Sequence, residues 1–163
     1  MIRSIDDFLT QWRCEKAETL KVFGNLTDAS LQQAWPGGRS IGRLANHLID
    51  TLYELPAKAG LPLKAMPAHF TTAKELVTAY DDGADRVAEV VSEHWHDGML
   101  DDEMPMYGGQ SWKNGFSLSA LMMHQAHHRG QMTVLMRFAG LKVPGVYGPS
   151  KEEWVAYNMA PQD

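Results

Sequence analysis

Cysteine is nearly missing from this chain: Cys14 stands alone among 163 residues. A single thiol closes no internal disulfide and builds no thiolate metal cage. Long apolar runs are missing too. No stretch approaches the ~18 uncharged apolar residues of a membrane helix, and the N-terminus, Met-Ile-Arg-Ser-Ile-Asp-Asp, has no apolar signal region. These absences predict a cytoplasmic protein with no membrane partner. Positive charge is in deficit, with 15 Lys and Arg against 20 Asp and Glu and a net charge of −5. No basic cluster is interleaved with aromatic residues, so nucleic acid is not an expected partner. Strand patterns are equally hard to find, because no alternating run of β-branched residues lasts more than a few positions.

What is present is helical periodicity. At 44% hydrophobic and 21% charged, the chain has the composition of an ordinary globular protein, and its length suits one domain spanning 1–163. Four segments carry an apolar stripe. The first runs from about Ser4 to Asn25, with Ser4 as N-cap and Ile5, Phe8, Leu9, Trp12, Leu20 and Phe23 on one face. The second follows Pro36-Gly37-Gly38-Arg39, starts at the cap Ser40, and carries Ile41, Leu44, Leu48, Leu52 and Leu55 before Pro56 bends or ends it. In the third, Thr72-Ala73-Lys74-Glu75 reads as a capping box, and the helix continues through Leu76, Tyr80, Val87 and Val91 to about His96. The fourth runs from near Ser117 to Ala139, with Gly140 as its terminating glycine. Four such stripes are buried most simply in an all-α four-helix bundle. The connection 61–70 can span ~33 Å when extended, the length of a helix, so helices two and three are expected to be parallel and joined by a crossover. The segment 99–116 is expected to pack over one end of the bundle.

Three of the seven histidines lie in His124-Gln125-Ala126-His127-His128. On a helix, positions 124 and 128 stack on one face, and that face continues through Leu121, Met132, Leu135 and Ala139. His127 turns onto the flank. A lone histidine on an apolar face is ordinarily a core residue with satisfied nitrogens, but two stacked neutral imidazoles each need partners. Segment 117–140 contains no Asp or Glu to supply them, whereas one divalent cation satisfies both rings. His47, beside Leu44, Leu48 and Thr51, is the best third ligand; on periodicity alone it also reads as a boundary histidine bonded within its helix. His94 and His96 read as surface histidines near a helix C-terminus, and His69 as a loop residue. Gln125 stands where a zincin would carry its general-base glutamate, and no Glu-x-x-His motif suggests a di-iron carboxylate site. A trio of His47, His124 and His128 with open positions suits zinc or nickel.

The chain resembles the DinB-like family of metalloenzymes over nearly its whole length. The resemblance rests on Pro36-Gly37-Gly38-Arg39-Ser40-Ile41 leading to His47, and on His124-x-x-x-His128-Arg129-Gly130-Gln131. It continues through Arg137-Phe138-Ala139-Gly140-Leu141-Lys142-Val143-Pro144 and Tyr147-Gly148-Pro149. It implies a four-helix bundle of up-down-down-up topology and a three-histidine metal site carried onto His47, His124 and His128. Relatives include metal-dependent transferases that use low-molecular-weight thiols and a thiol-dependent isomerase, so the fold does not fix the reaction. The leading expectation is a small-molecule enzyme whose metal activates such a thiol. A metal-dependent hydrolase and a non-catalytic metal-binding or interaction protein are the alternatives. Asp50, three residues after His47, is a candidate to orient that imidazole. Arg129 is a candidate to hold an anionic group of the thiol, or else an exposed helix arginine. Cys14 reads as a passive, half-buried thiol. The many methionines of the fourth helix, Met122, Met123, Met132 and Met136, suggest contact on several sides, and a homodimer is expected.

Overall fold

Side-chain caps start three of the four long helices, in a computed structural model that describes residues 2–64 and 69–161. Helix α1 (Ile5–Phe23) begins where Ser4 Oγ accepts from Asp7 N at 3.0 Å. Helix α2 (Ile41–Lys58) begins where Ser40 Oγ accepts from Arg43 N at 3.2 Å. Helix α3 (Ala73–His94) carries the full capping box, with Thr72 and Glu75 bonded reciprocally. Each cap satisfies amide protons that the first helical turn leaves free. Helix α4 (Asn114–Phe138) has no side-chain cap and starts three residues before the expected Ser117.

The ends differ modestly from expectation. Helix α1 stops at Phe23 and α3 at His94, whereas α2 runs two residues beyond Pro56. Pro56 lies inside the last turn, and its carbonyl receives the Leu61 amide at 3.0 Å while Gly60 takes φ +92°. At the end of α4, Leu141 N bonds Met136 O at 3.0 Å and Gly140 N bonds Arg137 O at 3.1 Å, with Gly140 at φ +69°. Both ends are Schellman closures, which need a left-handed residue and therefore favour glycine.

Helix α1 packs on α3 and α4, and α2 packs on the same two helices. Cross-helix pairs give the sense of each contact. Ile5 N meets Asp97 Oδ1 at 2.8 Å and the Trp12 indole donates to Ala84 O at 2.8 Å, so α1 and α3 oppose each other. Asn46 brackets the Phe70 backbone with bonds of 2.8 and 2.9 Å, and farther along a methyl added at Gly83 would come within 2.9 Å of Leu52 Cδ1. Helices α2 and α3 therefore run the same way at close approach. The expected crossover between them is only partly visible, since residues 65–68 lie outside the described residues. The core is formed by fully enclosed side chains from all four helices, among them Phe8, Trp12, Leu48, Leu52, Leu76, Tyr80, Leu121 and Met132.

Segment 99–113 folds as an element the sequence pattern did not suggest. Strands β1 (Glu103–Pro105) and β2 (Ser111–Lys113) pair antiparallel, with Met104 opposite Trp112. The hairpin leans on the C-terminal part of α2: Tyr107 donates to Glu54 at 3.1 Å, and Lys58 lies over its ring at 5.0 Å. Three-residue strands are too short to declare an alternating pattern in the sequence. No helix among the described residues is long and apolar enough to cross a membrane.

Candidate metal centre

Helices α2 and α4 face each other around three imidazoles. The ring centres of His47 and His124 lie 4.9 Å apart, those of His47 and His128 4.7 Å, and those of His124 and His128 4.5 Å. One nitrogen from each ring falls within 4.8 Å of the others. His124 and His128 come together because they are one turn apart on α4, and His47 reaches them from the second turn of α2. Gln125, between the two α4 histidines, fixes that meeting. It is fully buried, and its amide donates to Leu48 O and Thr51 Oγ1, both at 3.1 Å.

Electrostatics keep the trio neutral. Burial, then the positive charge of His128, Arg39 and Arg43, pushes the His47 pKa down to about 4. Burial followed by its histidine neighbours and Arg39 brings His124 to about 4 as well. His128 is lowered chiefly by burial, against a hydrogen bond that raises it. That bond runs from His128 Nδ1 to Gln131 Oε1 at 2.7 Å. With Nδ1 donating, Nε2 is left as the free lone pair. His124 Nδ1 is enclosed and has no hydrogen-bond partner. An enclosed, unpartnered imidazole nitrogen is costly. Together with His47 and His128, His124 makes three uncharged imidazole donors, which match what a borderline divalent ion takes. On both counts these residues fit a metal ion.

Other expected positions behave differently. Among the described residues no hydrogen bond joins Asp50 to His47. Burial raises the Asp50 carboxyl pKa, and the charges acting on it next are Arg43 and His69. Arg129 neither faces solvent nor awaits an anion. Its side chain is 1% exposed, pairs with Glu15 Oε2 at 2.7 Å, donates to Thr19 Oγ1 at 2.8 Å and bonds the Tyr147 hydroxyl. Cys14 is exposed, not half-buried. His94 and His96 are exposed as expected. His127 lies on the flank of the trio, its ring centre 4.7 Å from that of His128, and its Nε2 accepts from Gln131 Nε2 at 3.1 Å.

Sequence reasoning gave no role to Gln131, yet it holds both His127 and His128. The available signal was its place three residues after His128, within one helical turn. Beside the trio a cleft of about 560 Å³ opens, lined by Trp35, Gly38, Arg39 and Leu44 on one side and His127, His128, Gln131, Val134 and Leu135 on the other.

Comparisons with known proteins fit this arrangement. The chain is 36% identical over 163 residues to YrdA of Bacillus subtilis (strain 168), covering 98% of this chain and 97% of that one. A crystal structure of a DinB-like protein from Bacillus cereus ATCC 10987 superimposes with a TM-score of 0.84 at 36% identity, over 90% of this chain and all of the other. YfiT from Bacillus subtilis, described as a probable metal-dependent hydrolase with an unusual four-helix bundle topology, superimposes with a TM-score of 0.67. That match covers 83% of this chain and 87% of YfiT at 14% identity, a likeness of fold. The sequence pattern of the DinB family matches residues 1–162. The four-helix bundle, the whole-length match and the relatives at 36% identity lead to one assignment: this chain belongs to the DinB family.

Proposed function

We propose that the protein is a metal-dependent enzyme in which His47, His124 and His128 hold a zinc or nickel ion that activates a low-molecular-weight thiol for transfer to a small electrophile. The observation that carries this reading is the convergence of three neutral imidazoles, without a fourth His, Cys, Asp or Glu in the cluster among the described residues, beside an open cleft. A structural site is ordinarily closed by four protein ligands, whereas a catalytic one leaves a position free. A divalent ion bound there supplies Lewis acidity, lowering the pKa of a coordinated thiol or water. The chain's own residues do the rest. Gln131 holds the His128 ring with its Nδ1 proton fixed. Gln125 locks α4 to the α2 backbone and so sets the spacing of the trio. His127 lines the cleft beside His128, its ring held by Gln131.

A hydrolase is the second reading, supported by the likeness of fold to YfiT. Metal analysis of the purified protein, followed by paired assays on a thiol-accepting electrophile and on an ester, separates the two. The thiol reading expects conjugation that requires metal and added thiol, persists in Cys14→Ser and vanishes in His128→Ala. Ester cleavage without thiol would favour the hydrolase. Metal-replete protein inert toward thiols, esters and amides would move the assignment to a non-catalytic metal-binding protein.

A further inference from the structure

The cleft beside the trio has a charge character opposite to the rest of the chain. The protein carries a net charge of −5, yet no Asp or Glu lines this cleft, and Arg39 stands at its mouth. Arg3, Arg86, Arg129 and Arg137 each have a carboxylate partner. Among the described residues Arg13, Arg39 and Arg43 show no such ion pair, and of these only Arg39 lines the cleft, with its side chain exposed. It lines the same cleft as His127 and His128. An unpaired guanidinium is a strong receptor for a carboxylate, since its planar donors match the two oxygens.

Apolar side chains line both sides of the cleft. Trp35 is 58% exposed and Val134 52% exposed, large apolar side chains left open at the mouth, with Leu44 and Leu135 behind them. Trp35 is braced from outside by Phe138, ring centres 5.6 Å apart. A volume of about 560 Å³ is that of a small-molecule site.

We infer that this cleft selects small organic acids: a carboxylate held by Arg39, an aromatic or branched apolar body between Trp35 and Val134, and the reacting end directed at His128. The inference rests on the metal-site reading only for the reacting end; recognition of the acid rests on Arg39 and Trp35.

The test measures binding by calorimetry, with metal content determined for every sample. The probes are phenylacetate and 3-phenylpropionate with their uncharged amides. They are titrated into wild type, Arg39→Gln, Arg39→Lys and Trp35→Ala, each in metal-loaded and chelator-treated form. Expected is a preference of tenfold or more for acid over amide in wild type, in both metal states. Arg39→Gln should abolish it without losing metal or amide binding, and Arg39→Lys should restore it in part. Trp35→Ala should weaken acid and amide alike. Equal binding of acid and amide, an Arg39→Gln variant that keeps the preference, or no binding of either probe would overturn the inference. So would a preference that disappears with the metal, because the ion rather than Arg39 would then hold the carboxylate. Protein that retains no metal yet prefers the acid would instead refute the metal reading alone.

Discussion

At the scale of single residues, the histidines around the cleft are not equivalent, and substitution should reveal it. His124→Ala or His128→Ala is expected to abolish stoichiometric metal binding, whereas His127→Ala should leave most of it, because its ring lies on the flank. Gln131→Ala removes the acceptor of the His128 Nδ1 proton and should weaken metal affinity by about 10–100-fold. Elemental analysis after dialysis against a competing chelator reads both, and metal loss in His127→Ala with retention in His128→Ala would refute the assignment. The same rings set a pH response in the metal-free protein. His47 and His124 hold their neutral forms down to about pH 4. An unfolded chain protonates them near ~6.5. Between those values the unfolded state binds more protons, so stability rises with pH. Their contribution is complete above about pH 6.5, is lost as pH falls toward 4, and levels off below. Urea midpoints of chelator-treated protein should fall across that window, and less steeply in a His47→Gln, His124→Gln double variant. Parallel curves for the two proteins would count against buried neutral histidines.

At the scale of elements, α4 is the informative helix. Arg129 sits in the repeat Leu118, Leu121, Gln125, Arg129, Met132, Met136, every member of which is buried. From the sequence Arg129 reads as an anion receptor or an exposed helix arginine, not as an interior residue. Its partner Glu15 lies on α1, and no local pattern points to an ion pair between elements so distant in the chain. Truncating one member leaves the other charge enclosed without compensation, at a cost of about 3 kcal/mol. Arg129→Ala should therefore lower the denaturation midpoint strongly, and adding Glu15→Gln should recover part of the loss. A single variant as stable as wild type would show that the pair does not hold the helix. Elsewhere local chemistry was legible. Ser4, Ser40, Thr72 and Gly140 marked their helix termini because a cap is a short-range hydrogen bond between near neighbours. The start of α4 was not legible, since Lys113 makes no side-chain cap. His124 and His128 could be paired from spacing alone. His47 could only be nominated, because its approach depends on how two helices meet.

At the scale of the whole molecule, the surface of α4 is unfinished. Phe116, Met123, Val134 and Phe138 are each about half exposed or more, while Met132 and Met136 are enclosed. Apolar side chains left open along one helix favour association, and a dimer mass by light scattering at high micromolar concentration is the expected outcome. A monomer mass there would assign those side chains to the cleft and the solvent alone. The same helix is also gripped from two sides: Arg129 ties it to α1 through Glu15, and Gln125 ties it to α2 through Leu48 and Thr51. Neither grip involves an imidazole. The rotational setting of α4 is therefore indexed like a key in a slot, independently of what its histidines do. A bundle indexed this way can be retooled. Side chains at 47, 124 and 128 can be exchanged for carboxylate, thiol or amide while the helix keeps its angle, so one framework can present different groups there without refolding.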